Sequence, residues 1–285
     1  MYYIDRNRVT SHTMNMNQKN SPFIVGLLII IASWWIGGAL LASIAATVLP
    51  DTLIGTYLSL NSSFLPFFLS ILLTNRYLFG NTLSEFISKT QRSYLNTIII
   101  GLAWLLLFSI STGIEYLLEP GRFSISSDLS SWIVFLPIAI LVTPLQTASE
   151  ELFFRAYLAK WMEHLNARRY LIIGFSGVIF LSVHLLNPEI QTLGADPFIY
   201  LYYFLFGSFM MAIALVDKSF LLPIIIHTVN NLFSVILVNY EGTVLGSPAL
   251  LVDSQPAPLF STITLTLGSL VTIGYLRYRQ DQCRR

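Results

Sequence analysis

Eight apolar runs of about 20 residues each dominate the chain, at roughly 22–47, 54–74, 96–117, 131–155, 170–187, 198–216, 220–239 and 258–276. As helices rising about 1.5 Å per residue, each is long enough to cross a hydrocarbon core about 30 Å thick. Only 11% of the 285 residues are charged, whereas soluble domains carry about 25%. The sequence therefore specifies an all-α fold, a polytopic transmembrane helical bundle of about eight spans. It is a multi-pass integral membrane protein whose first partner is the lipid bilayer, in the cell membrane if the host is prokaryotic.

The first run follows a polar tail as a signal peptide would, but it is about twice the usual 7–15-residue apolar core of a cleaved signal. A retained anchor is the expectation, although "LASIAA" leaves a cleavable site in place. Basic residues set the orientation, since they gather on the cytoplasmic side. With eight spans, fourteen of the sixteen lysines and arginines fall on one side; Arg122 falls on the other and Arg155 within a span. Both termini are then cytoplasmic. Four segments follow: a cytoplasmic tail over 1–21, three helices over 22–130, a core of four helices over 131–240, and a last helix with a basic tail over 241–285. Within the second segment, the cytoplasmic loop 75–94 carries Leu83, Phe86 and Ile87 at helical spacing. That pattern suits a short interfacial helix or an ordinary polar loop equally well. Cys283 is the only cysteine, which precludes an intrachain disulfide. A net charge of +1 gives no sign of a nucleic-acid partner, and no glycine-rich phosphate loop or internal repeat is present.

Against this apolar background, "SEELFFRAY" places Glu150, Glu151 and Arg155 together at the end of the fourth run. A charge at mid-bilayer costs about 2.5–3.5 kcal/mol on insertion scales, so three facing lipid would cost about 8–10 kcal/mol. They must face the bundle interior, pair, or lie near the interface. Glu151 and Arg155 stand at i and i+4 with the acid first, the favourable order for an ion pair. Glu150 is rotated about 100° away from Glu151 and has Phe153 and Phe154 at i+3 and i+4, which leaves it free to serve another purpose. The plain alternative is a charge cluster at the interface.

Two histidines also lie in apolar runs. His184 follows Phe180 by four residues, and His227 precedes Asn231 by four. Each alone reads most simply as a satisfied core residue. Counted from the cytoplasmic end, Glu150 and His227 fall about 15 Å deep and His184 about 22 Å, so three helices bring polar groups to one layer. Intramembrane ionisable groups are functional candidates by default. Glu150 and His184 suit a general base and acid that activate water, while His227 and Asn231 suit stabilisation of an oxyanion. The same Glu150, His184 and His227 equally describe a Zn²⁺ site with one position open to water, and the spacing does not decide between the schemes. Ser149 and Ser182 have no histidine at helical spacing, which disfavours serine chemistry.

Taken in order, EExxxR (150–155), FxxxH (180–184) and HxxxN (227–231) resemble the CAAX prenyl endopeptidase and bacteriocin-processing family of intramembrane proteases. The resemblance covers about 131–240. It implies an eight-helix bundle with a water-filled cavity open toward the cytoplasm, and hydrolysis of a peptide or protein substrate with a lipidated or membrane-proximal cleavage site. It also implies that Glu150 and His184 activate water, that His227 and Asn231 hold the oxyanion, and that Glu151, Arg155 and Phe180 complete the motifs. Members are described both as metalloproteases and as metal-free glutamate enzymes. Two rival readings share the hydrophobic pattern: an ion-coupled transporter using these groups as a relay, and a non-catalytic immunity or scaffold protein.

Overall fold

The computed structural model describes residues 16–87, 94–126, 128–240 and 242–282. Backbone amides in hydrocarbon have no water to pair with, so a spanning chain must satisfy them along its own helix. Six helices are long and apolar enough to cross a membrane: α1 (Asn20–Val48), α2 (Leu53–Phe79), α4 (Tyr94–Leu118), α5 (Leu129–His164), α8 (Pro197–Asp217) and α10 (Pro258–Gln282). Two shorter apolar helices, α6 (Arg169–His184) and α9 (Leu221–Leu237), take the remaining predicted positions. Each predicted run thus has its helix. The fifth and seventh reach only about 24–26 Å at 1.5 Å per residue, and these two carry the histidines.

Polarity is distributed inside out. Leu28, Ile36, Leu106, Leu141 and Val271 are exposed, as lipid-facing residues should be. Thr147, Glu151, Arg155 and Ser269 are fully buried. A helix boundary is fixed chemically where it leaves the apolar layer. Asp128 caps α5 by accepting from the Ser131 amide at 3.0 Å, and Gly80 ends α2 in the left-handed conformation at φ +70.

The interfacial loop does hold a short helix, α3 (Leu83–Ile87). Thr82 and Glu85 cap it reciprocally: the Thr82 Oγ1 accepts from the Glu85 amide and Glu85 Oε2 from the Thr82 amide. Phe86 is buried, with Lys160 Nζ 4.2 Å from its ring centroid. The basic end of the loop, with Lys89 and Arg92, lies outside the described residues.

On the opposite side the all-α expectation needs one amendment. Three short strands, β1 (Phe123–Ile125), β2 (Val238–Tyr240) and β3 (Leu251–Asp253), form a small sheet in the order β1-β3-β2. β1 runs antiparallel and β2 parallel to β3. Beside it lies the short helix α7 (Pro188–Leu193). The sheet joins the ends of α4, α9 and α10, connections too far apart in sequence to be read from a hydrophobic pattern.

Candidate active site

The site is built on the α5 turn that ends in Glu150 and Glu151, just before the helix widens into a π-turn over Leu152–Tyr157. Glu151 and Arg155 form the expected pair: Arg155 Nε lies 3.2 Å from Glu151 Oε2, and both side chains are fully buried. A buried pair stabilises little unless further groups satisfy it; Arg155 Nη1 and Nη2 find no hydrogen-bond partner among the described residues, and two other contacts support the pair. The Arg155 guanidinium stands 4.4 Å from the Phe180 ring centroid. The other Glu151 oxygen accepts from His227 Nδ1 at 2.8 Å.

That second bond changes the meaning of the pair. His227 lies on α9, 76 residues from Glu151, so helical spacing could not reveal it. With its Nδ1–H given to Glu151, the imidazole turns Nε2 toward Glu150, whose Oε2 is 4.0 Å away. Adjacent carboxylates thus address opposite nitrogens of one ring. Helix α9 is latched to α5 one turn from this point by the Thr147–Thr228 hydroxyl pair at 2.6 Å.

Glu150 is 6% exposed. Its Oε1 receives a long bond from Gln146 Nε2 at 3.4 Å, while Oε2 has no hydrogen-bond partner among the described residues. His184 ends α6, and its Nδ1 bonds the Phe180 carbonyl one turn earlier at 2.7 Å. The Nδ1–H tautomer that this requires leaves Nε2 as a proton acceptor. The ring is held between Phe180, 4.2 Å away, and Tyr203 of α8, 4.6 Å away. Asn231 lies one turn beyond His227, as expected. Asn230 Nδ2 donates to its Oδ1 at 3.1 Å, and Tyr202 in turn donates to Asn230 at 3.1 Å. The chain of bonds leaves the Asn231 amide nitrogen as a donor.

Glu150, His184, His227 and Asn231 all line one cavity of about 240 Å³. Gln146, Tyr203 and Asn230 line it as well. Of these three, Gln146 was readable as the i−4 neighbour of Glu150, and Asn230 from its place within the HxxxN stretch. Nothing in the sequence marked Tyr203. Ser149 and Ser182 each spend their hydroxyl on a carbonyl one turn back. His164 is exposed, and His12 lies outside the described residues.

Two expectations, a zinc set read from the residues and a cavity direction implied by the resemblance, meet different geometry. The zinc set of Glu150, His184 and His227 does not assemble: no group of three His, Cys, Asp or Glu able to hold a metal ion occurs among the described residues. The Glu151 bond to His227 Nδ1 leaves Nε2 free to ligate, but its 4.0 Å gap to Glu150 is loose for ligands that each stand about 2.0–2.2 Å from one Zn²⁺. Nor does the cavity run toward the face that carries the described basic loops. Its lining residues Ser111, Glu115, Val238 and Pro258 sit at the helix ends remote from the basic loops.

Residues 129–233 match the family profile described as type II CAAX prenyl endopeptidase, Rce1-like. Over 230 residues the chain is 25% identical to the uncharacterized protein YyaK of Bacillus subtilis (strain 168), a match covering 80% of this chain and 76% of that protein. No solved structure matches. The matched stretch holds the whole of α5, α6 and α8 and the part of α9 that bears HxxxN, so the three motifs and the match to the Rce1-like, type II CAAX prenyl endopeptidase model fall on the same helices.

Proposed function

We propose that the protein is an intramembrane endopeptidase that cleaves a membrane-associated peptide with water activated by Glu150 and His184. The observation that carries this reading is Glu150 Oε2, unpartnered at the cavity wall and 4.0 Å from His227 Nε2. A buried carboxylate oxygen without a partner is a group that one bound water would satisfy. Glu150 takes a proton from that water, with His184 Nε2 as the second acceptor, and the oxygen attacks the scissile carbonyl carbon. The Asn231 amide donates to the carbonyl oxygen as it becomes negative. His227, its ring fixed by the Nδ1 bond to Glu151, turns Nε2 toward the same oxygen. The proton held by Glu150 then passes to the leaving amine, and the C–N bond breaks. Gln146 keeps the Glu150 carboxylate turned into the cavity. No step is routed through a metal.

General acid–base catalysis contributes about 10²–10⁴-fold, and an oxyanion donor about 10²–10³-fold. Glu150→Gln should therefore lower cleavage of a membrane-tethered fluorogenic peptide by at least about 10²-fold, and Asn231→Ala by about 10²-fold. Equal turnover by wild type and Glu150→Gln would reject the assignment. A strong chelator should leave the rate unchanged; loss of activity restored by added Zn²⁺ would reassign Glu150, His184 and His227 as ligands. The transporter reading predicts peptide-independent ion flux into proteoliposomes that Glu150→Gln abolishes.

A further inference from the structure

The cavity has a direction, and the chain has an electrical polarity against which that direction can be read. From its deepest residues, Glu150 and His227, the cavity is walled by the non-cytoplasmic ends of α4, α8 and α10 and by the loop around Thr243. On the cytoplasmic side of the same two residues the bundle is closed by buried Phe153, Phe154, Tyr157, Leu222 and Ile226. Among the described residues, Arg76, Lys160, Arg168, Arg169, Lys218, Arg277 and Arg279 lie beyond that plug. On the cavity's side, the described connecting segments and adjoining helix ends hold seven carboxylates against one cation, Arg122. Three of those carboxylates, Glu115, Glu189 and Asp253, line the cavity itself. Arg122 offsets part of this charge by binding Asp253 and Glu115. The bonds to Glu189 come from neutral donors: Tyr203 Oη at 2.5 Å, Asn187 Nδ2 at 2.9 Å and the Val244 amide at 3.0 Å. At its base waits the buried, unpartnered oxygen of Glu150.

We infer that the cavity receives its peptide from the non-cytoplasmic side, and that the segment it accepts is cationic. This rests on the endopeptidase reading for the word peptide, and on geometry and charge for the side and the sign. A cleft lined by one sign of charge between low-dielectric walls concentrates ligands of the opposite sign. An opening on this side cannot receive the carboxyl terminus of a cytoplasmic protein, so the natural substrate is a segment exposed at the outer face of the membrane.

Because Cys283 is the only cysteine, sidedness can be read by labelling without any assay of cleavage. In a Cys283→Ser background, Thr243→Cys at the cavity wall should react with a membrane-impermeant maleimide in intact spheroplasts. Glu163→Cys, exposed on the last turns of α5, should react only after permeabilisation. The reverse pattern would overturn the inference. Sign is tested with the purified full-length protein and two fluorescent apolar hexapeptides flanked by lysines or by glutamates. The lysine-flanked peptide should bind at least tenfold more tightly at low salt, with the advantage shrinking as salt rises and in Glu189→Gln. Equal binding would sink the cationic preference. If labelling and binding come out as expected and neither peptide is ever cleaved, the endopeptidase reading fails while the sidedness and charge of the cavity stand.

Discussion

Glu151 illustrates how much one residue can carry. Its two oxygens address two cations or potential cations on different helices, Arg155 at 3.2 Å and His227 at 2.8 Å. Losing one partner of a buried pair costs about 3–5 kcal/mol, because the other charge stays buried without compensation. Glu151→Gln should therefore lower stability by about 3–5 kcal/mol, read as a fall in thermal midpoint in detergent. The double variant Glu151→Leu, Arg155→Met removes both charges and should recover most of that loss. Cleavage should stay low in the double variant, since His227 Nδ1 no longer has an acceptor to fix its tautomer. Recovery of both properties together would mean that Glu151 serves only Arg155.

Between elements, the placement of His184 depends on how closely α6 and α8 approach. Ser176 donates to the Gly207 carbonyl at 3.0 Å across this crossing. A Cβ added at Gly207 would stand 2.7 Å from both Phe180 Cβ and the Ser176 carbonyl oxygen. Phe180 also packs on His184 and Arg155, so a push there moves the site. Overpacking of this kind costs about 1–3 kcal/mol, and Gly207→Ala should lose that much stability and more than tenfold in cleavage rate. Gly174 on α6 is the control: an added Cβ meets nothing within 4 Å. Gly174→Ala should change stability by no more than about 0.5 kcal/mol. If both variants behave alike, the close crossing does not position His184.

Across the molecule as a whole, Arg122 closes the side remote from the described basic loops. Its Nε and Nη2 donate to the two Asp253 oxygens at 3.0 and 2.8 Å, and Nη2 also donates to Glu115 at 2.8 Å. The first contact spans 131 residues of sequence and ties β3 to the end of α4. The hydrogen bonds that Arg122 donates to Asp253 raise the guanidinium pKa above its ordinary value. A raised folded-state pKa means that the stabilisation is fully present below the ordinary arginine value. Raising pH from 7 to 10 should therefore leave this clasp intact. Arg122→Met leaves two buried carboxylates facing one another and should cost about 3–5 kcal/mol. Arg122→Lys keeps the charge without the planar fork, and its thermal midpoint should fall between the two. A midpoint for Arg122→Met equal to wild type would show that the sheet holds without it.

What the sequence determined by itself is whatever a single helix can express. Run lengths anticipated a helix for each of the eight apolar runs, six of them long enough to span, and basic residues set their expected alternation. A four-residue spacing gave Glu151–Arg155 and the shared face of His227 and Asn231. Only the tertiary structure decided that Glu151 also grips His227, that Tyr203 clamps His184, and that Arg122 closes a three-stranded sheet. It also decided that the cavity leads away from the basic face. The physical reason is range: helical geometry fixes neighbours three or four residues apart, whereas these contacts join side chains from helices whose rotation and depth are set by packing.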